Sequence, residues 1–253
     1  MSRMIRKSSF DSKIKIISLI VVVALIAIFA IIIIKKNSNN ENNNNHNNNI
    51  EILSEKIQID EEKYEYGNAN YDVLMLYPQV NNMSERFKSY FNNKIFSELD
   101  YKSVYAELTS GLEDKSNVGR FVYSVTFDRY NCYDYISLIV HQNIQLGSDR
   151  KIQKQKMYVI NVRSESTAVL QDVFANKIGY KQKVIDYIND YTFKNRIEVM
   201  GGNGLKTLPD TQSFYIINDK LHIYFEAAEI APASIGAIDI EMPYTLKDGL
   251  FVY

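Results

Sequence analysis

The stretch FYIINDKLHIYF, Phe214 to Phe225, reads as two short strands, Phe214–Ile217 and Leu221–Phe225, joined across Asn218-Asp219-Lys220. Apolar and aromatic residues crowd both arms, and the polar Asn218-Asp219-Lys220 between two such runs is a hairpin signal. Ile235 to Met242 (IGAIDIEM) supplies a further strand after the loop that follows. Upstream, Met200 to Asp210 holds three glycines and Pro209 and reads as a loop. Before that loop, Tyr180 to Asn195 sets Val184, Ile185, Ile188 and Tyr191 on one helical face, ringed by Lys181, Lys183, Asp186 and Lys194.

Further outward the strand pattern dominates. Val118 to Asp128 and Tyr133 to Leu146 are β-rich, and Arg129–Cys132 reads as the hairpin connection between them. Lys151 to Arg163 is a third long strand, with Ile152, Tyr158, Ile160 and Val162 on one face. Tyr71 to Tyr77 is a short strand that Pro78 is expected to end. Asn82 with Glu85 resembles a capping box, and Met83, Phe87, Tyr90, Phe91, Ile95 and Leu99 follow at helical spacing. Two principal helices among mainly antiparallel strands give an α+β class, expected as a pair of subdomains over 50–165 and 166–253.

The first 49 residues differ in kind. Ile16 to Ile34, IISLIVVVALIAIFAIIII, carries no charge, and Ser18 is its one polar side chain. A helix over that length rises about 28 Å, close to the ~30 Å hydrocarbon thickness of a bilayer. The run is longer than a secretory h-region and ends in isoleucines and lysines rather than a small-x-small site, so the reading is an uncleaved signal anchor. Arg3, Arg6, Lys7, Lys13 and Lys15 precede it and Lys35 and Lys36 follow, which places residues 1–15 in the cytoplasm and the rest outside. Residues 35–49 are an Asn-rich linker of low complexity. Its Asn37–Asn49 tract would span about 20 Å as a random coil and at most ~45 Å when extended.

The formal net charge is -1, but seven bases and two acids lie before Ile50. The part beyond therefore carries roughly six net negative charges, which argues against bulk binding of nucleic acid or anionic wall polymers. A single cysteine, Cys132, excludes an internal disulfide. An exported domain held by core packing alone suits a Gram-positive envelope.

Catalytic signals are sparse. His141 and His222 each lie in a strand pattern without a second ligand at metal spacing. No nucleophile elbow, phosphate-cradling glycine loop or zinc-protease motif is present, and Gly201-Gly202-Asn203-Gly204 does not open a helix after a strand. No catalytic residue, metal ligand or cofactor is therefore expected. Glu226 and Glu229 form the one acid pair that an enzyme acting on cell-wall glycan could use. Nineteen tyrosines, all from Tyr64 onward, suit half-buried strands first and recognition surfaces second.

From Phe214 to Tyr244 the chain resembles the RsiV-type extracytoplasmic domain family, on Tyr224, Phe225, Glu229, Ile230, Ala231, Pro232, Gly236, Pro243 and Tyr244. Met157 to Phe174 is similar to the same family's strand-and-turn segment before its helix. The family includes anti-sigma factors that receive lysozyme and peptidoglycan deacetylases. The resemblance implies a membrane-tethered binding or sensor module facing the envelope, with a lysozyme-like muramidase or peptidoglycan as ligand. It points to Glu229, Pro232, Ser234 and Ile235 as the ligand-binding loop. The chain departs from the family at HQNIQLGSDRKIQ (141–153), which keeps only Gly147 of a glycine-rich loop, and at Ala228 and Ala233, where relatives carry tyrosine. With about fifteen residues before the anchor and none after Tyr253, neither a sigma-factor partner nor a deacetylase domain is expected. Two other classes stay open: a glycan-active enzyme, and an assembly factor of an envelope complex.

The melting temperature of the purified chain should be the same with and without reductant; a fall on reduction would reveal an intermolecular disulfide through Cys132.

Overall fold

The longest strand pairings run through Tyr135–Leu146, β4 in chain order, and the rest of the architecture is arranged around it. The computed structural model describes residues 52–112, 118–247 and 249–252. The expected anchor at 16–34 and its flanks lie outside them, and among the described residues no helix is long and apolar enough to cross a membrane.

Six strands form the main sheet in the order β1 (Ile59–Gly67), β2 (Tyr71–Val80), β3 (Phe121–Cys132), β4, β5 (Arg150–Asn161) and β6 (Ser166–Thr167). All neighbours are antiparallel except β2 and β3, whose parallel pairing over Tyr71–Met75 requires a crossover. Two helices make it, α1 (Glu85–Glu98) and α2 (Tyr101–Leu108). A third, α3 (Tyr180–Lys194), lies in the C-terminal half with a second sheet of β7 (Phe214–Ile217), β8 (Lys220–Phe225) and β9 (Ile238–Glu241). A small hairpin of β10 (Thr245–Lys247) and β11 (Leu250–Val252) closes the chain. The architecture is α+β and mostly sheet.

Alternation along β4 explains how the two halves are joined. Ile136, Leu138, Val140, Ile144 and Leu146 enter one core with Phe87, Phe91, Ile95 and Leu99 of the helical crossover. Tyr135 faces the other way and, with Val159 of β5, enters a second core made by α3 and the β7–β8–β9 sheet. Successive side chains of a strand point to opposite faces, so one strand serves both cores. Ser137, on the second face, is buried, and its Oγ accepts the Ile216 N–H at 2.9 Å. That bond ties the two sheets through a polar group that burial would otherwise penalise.

Several local expectations are revised. The expected connection at Arg129–Cys132 is strand; the turn is Tyr133-Asp134, with Tyr133 at φ 52°. β2 pairs with β3 only as far as Met75, so the polar Asp128–Asn131 segment sits where β3 has lost that neighbour. The Arg129 guanidinium donates there to the carbonyls of Ser54 and Ile57, at 2.9 and 2.8 Å. Pro78 does not end β2 either. The Asn81 N–H bonds Gln58 O, so Gln79 and Tyr77 share that orientation and Pro78 turns its nitrogen away from β1. No β3 residue lies opposite that side, so no ladder bond is lost.

The same logic governs the helix start. Ser84, not Asn82, caps α1, its Oγ accepting the Phe87 N–H. Asn82 instead bonds main-chain groups of Gln58 and Lys56. α2, absent from the sequence reading, begins at Asp100, whose carboxylate accepts the N–H groups of Lys102 and Ser103. β1 likewise has no strand signal in the sequence, because IDEEKYEYG carries the charges of a protected sheet edge and no clean alternation. In the second sheet, β9 begins at Ile238 rather than Ile235, since Ala233–Ile235 form a single 3₁₀ turn. The β7–β8 turn is Asn218-Asp219, both at positive φ (50° and 60°), with Lys220 already paired to Ile217.

Packing accounts for many of the tyrosines. Tyr64, Tyr66, Tyr71, Tyr101 and Tyr105 cluster with Phe121 at one end of β1–β3, with ring centroids of Tyr66 and Tyr101 stacked at 5.6 Å.

Asn92 on α1 completes the exposed side of β2: its Oδ1 accepts the Val80 N–H at 2.9 Å and its Nδ2 donates to Val80 O at 3.0 Å. Asn92→Ala should leave both groups of a buried residue without partners and cost about 1–3 kcal/mol by urea denaturation. An unchanged midpoint would show that this bridge adds nothing.

Candidate functional site

β5 pairs with β4 along its whole length, but β6 covers only Ile160 and Asn161 on its other side. The uncovered length of β5 floors a groove of about 1490 Å³. One wall is α1, with Arg86, Tyr90 and Lys94; the other is the segment Asp210–Phe214 with Glu226 and Ala227. Tyr90 and Val169 expose 56% and 43% of their surface there, so apolar area is available to a ligand.

Glu226 reaches this groove from the end of β8. Its Oε1 accepts the Gln155 N–H at 3.2 Å. Burial raises its pKa above the ordinary glutamate value, with Glu229 adding to the rise and the Gln155 amide and Lys154 opposing it. Glu229 does not face it as a second catalytic carboxylate would. The Glu229 Oε2 accepts the Glu226 N–H at 2.7 Å, and the Glu229 N–H returns to Glu226 O at 3.0 Å. This closes the Glu226–Glu229 turn around Ala228, held at φ 68°. Both carboxylates are thus engaged by main-chain amides.

The loop that follows holds the remaining residues expected to bind. Ile230 and Ala231 are buried anchors, whereas Pro232, Ser234 and Ile235 are exposed, Ile235 by 49%. Pro232 sits at φ -51°, and its carbonyl accepts the Ile235 N–H at 2.9 Å. The Gly236 N–H bonds Ala233 O at 3.1 Å. Pro232, Ser234 and Ile235 therefore share one short turn, while the Glu229 carboxylate is directed back to Glu226. The neighbouring glycine-rich loop is pinned to it by Met200 N–H to Ile230 O at 2.8 Å, and to α3 by Asn189, which bonds both the N–H and the carbonyl of Leu205.

The histidines are each tied to an aspartate. His141 Nε2 lies 2.9 Å from Asp128 Oδ2, and Gln155 Nε2 donates to its Nδ1 at 3.1 Å. His222 Nδ1 lies 3.2 Å from Asp239 Oδ1, and its ring stacks on Tyr215 at 4.7 Å. The Tyr215 hydroxyl donates to Asp239, whose pKa burial alone would raise; hydrogen bonds from His222 and Tyr215 and the His222 charge bring it below the ordinary aspartate value. Burial, with Asp239 beside it, raises the Tyr215 hydroxyl strongly. Among the described residues no group of three or more His, Cys, Asp or Glu side chains could hold a metal. Cys132 is buried at the end of β3 rather than in a turn, its Sγ 3.4 Å from Asp219 Oδ1. Burial, helped by Asp219, pushes its pKa up to about 12, which suppresses the reactive thiolate.

Residues 171–245 match the model of a family described as a protein of unknown function, DUF3298. The match runs from the 3₁₀ turn at Leu170–Val173 through α3 and the second sheet, and so includes the loop just described. A crystal structure of a DUF3298 family member from Bacteroides fragilis is similar over 78% of this chain and 94% of that one, with a TM-score of 0.52 at 11% identity. One of a DUF3298 family protein from Pseudomonas aeruginosa is similar over 76% and 92%, with a TM-score of 0.50 at 9% identity. At these identities the likeness is one of fold. No curated protein matches the chain.

The groove was not anticipated. The sequence pattern carries no signal for it, because whether a strand lies beside β5 depends on partners distant in the chain.

Glu226 and Asp239 give pH dependences of opposite sign. A raised glutamate stabilises the fold below its unfolded pKa and loses that contribution as pH rises through the raised value. A lowered aspartate contributes above its unfolded pKa and loses it as pH falls through the lowered value. Glu226→Gln should therefore gain on the parent in melting temperature as pH climbs above the ordinary glutamate range, while Asp239→Asn should be least stable relative to the parent near neutrality and converge on it in acid. Melts from about pH 3 to 7 check both; parallel curves would show that neither carboxylate is linked to folding.

Proposed function

We propose that residues 50–253 form a non-catalytic recognition module outside the cytoplasm, tethered to the membrane by residues 16–34, and that its ligand is an envelope protein of the lysozyme-like muramidase kind or a peptidoglycan fragment. The observation that carries the reading is the Glu229–Gly236 loop. It presents Pro232, Ser234 and Ile235 to solvent from two buried anchors, on a turn fixed by its own hydrogen bonds. A loop held in one conformation loses little entropy on binding. Its sequence is also the part that most resembles the RsiV-type family, within the DUF3298 match.

The engagement of Glu226 and Glu229 by main-chain amides favours recognition over glycan cleavage, since glycosidase carboxylates must both address the scissile bond. The roughly sixfold negative charge of the domain suits a cationic muramidase. That attraction should weaken as salt rises.

Two measurements test the proposal on the full chain. Protease added to intact protoplasts should release the domain by cutting within the Asn-rich tract; complete protection would reverse the orientation. Pro232→Gly and Ser234→Arg should each weaken binding to immobilised lysozyme or to muropeptides by about tenfold with the melting curve preserved. Retention equal to the parent on every ligand would refute the loop as a recognition edge.

A further inference from the structure

The β5 edge in the groove has a chemistry that the loop does not share. The Val162 N–H bonds Asp134 O toward β4, while Val159 O accepts the Ala168 N–H on the opposite side. Alternation along a strand then turns the N–H and C=O of Gln153, Gln155 and Met157 away from β4, into the groove. Among the described residues the Gln155 N–H is taken by Glu226, and no hydrogen bond reaches the outward groups of Gln153 and Met157 or the Gln155 carbonyl. Main-chain donors and acceptors repeating every two residues, about 6.6–7 Å apart, match another extended main chain. They do not match a sugar ring or a point charge.

The two edges of the sheet are treated differently. β1 carries Asp60, Glu61, Glu62, Lys63 and Glu65, the charges that blunt an open edge against pairing. The uncovered part of β5 carries Arg150 and Lys151 at its start, and within the groove Lys154 and Lys156, which are drawn aside to Glu107 and Glu98. Its protection is steric instead: α1 stands on one side and Asp210–Phe214 with Glu226 on the other. Walls on both sides exclude the flat edge of a second sheet and admit one strand. The chain already uses the far end of this edge in that way, through Ser166–Thr167 of β6.

We propose that the groove takes an extended polypeptide segment, about six residues long, that pairs with β5 between Ile152 and Tyr158 as an added strand. Side chains alternating toward α1 would be apolar, to cover the exposed Tyr90. Glu226 holds the place of the incoming carbonyl at Gln155 until the strand arrives. The proposal rests on the domain being a recognition module, and it names a protein segment as the partner class at a site separate from the Pro232–Ile235 turn.

The test pans a phage-displayed library of random dodecapeptides against the full chain in detergent micelles, with Gln153→Pro and Met157→Pro variants panned in parallel. Proline at these positions removes an outward N–H and leaves the ladder to β4 intact. The expected result is enrichment on the parent of peptides with alternating apolar residues, lost on both proline variants at unchanged melting temperature. N-methylation of alternate amides in an enriched peptide should weaken it by at least about tenfold, and Glu226→Ala should tighten it by about fivefold. Amide exchange at Gln153 and Met157 should slow on binding. Absence of enrichment, or peptides indifferent to both N-methylation and Glu226→Ala, would overturn strand addition; the second comparison holds even if the proline variants do not fold. Lysozyme and muropeptide retention by the same variants separates the two readings: loss of peptide binding with lysozyme retention intact supports the groove as a site of its own, as does peptide binding that persists in Pro232→Gly.

Discussion

The way the two halves of this fold join depends on the first half of β4, Tyr135–Val140, being buried on both faces. A strand covered on one side can alternate apolar and polar residues, but one covered on both must find partners within the protein for the polar groups it keeps. In β4 the Gln142 Nε2 is left without one among the described residues. Tyr135–Leu146 keeps Ser137 and Gln142 in buried positions. Ser137 accepts an N–H from β7, and Gln142 accepts the Tyr123 hydroxyl at 2.9 Å on the other face. Each thereby fixes the register of one neighbour. The N-terminal and C-terminal halves consequently share a wall, and the groove lies at the margin where that shared sheet runs past the strands able to cover it.

Side chains take the part of missing strands at those margins. Asn92 bonds Val80 as a neighbouring strand would, Asn189 clamps both main-chain groups of Leu205, and Glu226 takes the Gln155 N–H. The physical reason is common to all three: a main-chain group at the border of a sheet must find a partner or remain with solvent. An amide supplies both donor and acceptor and makes a closed patch. A carboxylate supplies acceptors alone, so Glu226 satisfies one N–H and leaves the neighbouring carbonyls open. This difference separates the sealed border at β2 from the receptive one at β5.

The likeness to bacterial DUF3298 structures at 9% and 11% identity fits a fold specified by pattern rather than by particular residues. The two cores need apolar volume at alternating and helical positions, and many sequences provide it. The loop from Glu226 to Gly236 is under a tighter constraint. It needs a residue that tolerates φ 68° at Ala228, a carboxylate at Glu229 to close the turn and a fixed φ at Pro232.

The sequence by itself determined the α+β class, the two principal amphipathic helices and the hairpin across Asn218-Asp219-Lys220, because each follows from periodicity or turn chemistry within a few residues. The charge-free run at 16–34 is equally a property of local composition. Tertiary structure decided what depends on distant partners. Pro78 could stay in β2 because β3 had already parted from it; Asp128–Asn131 could remain strand because Arg129 found carbonyls more than seventy residues away in the chain. Glu226 and Glu229 look like a catalytic pair by spacing and are directed by the fold to main-chain amides. The groove had no local signature at all, since an unpaired edge is defined by the strand that does not lie beside it.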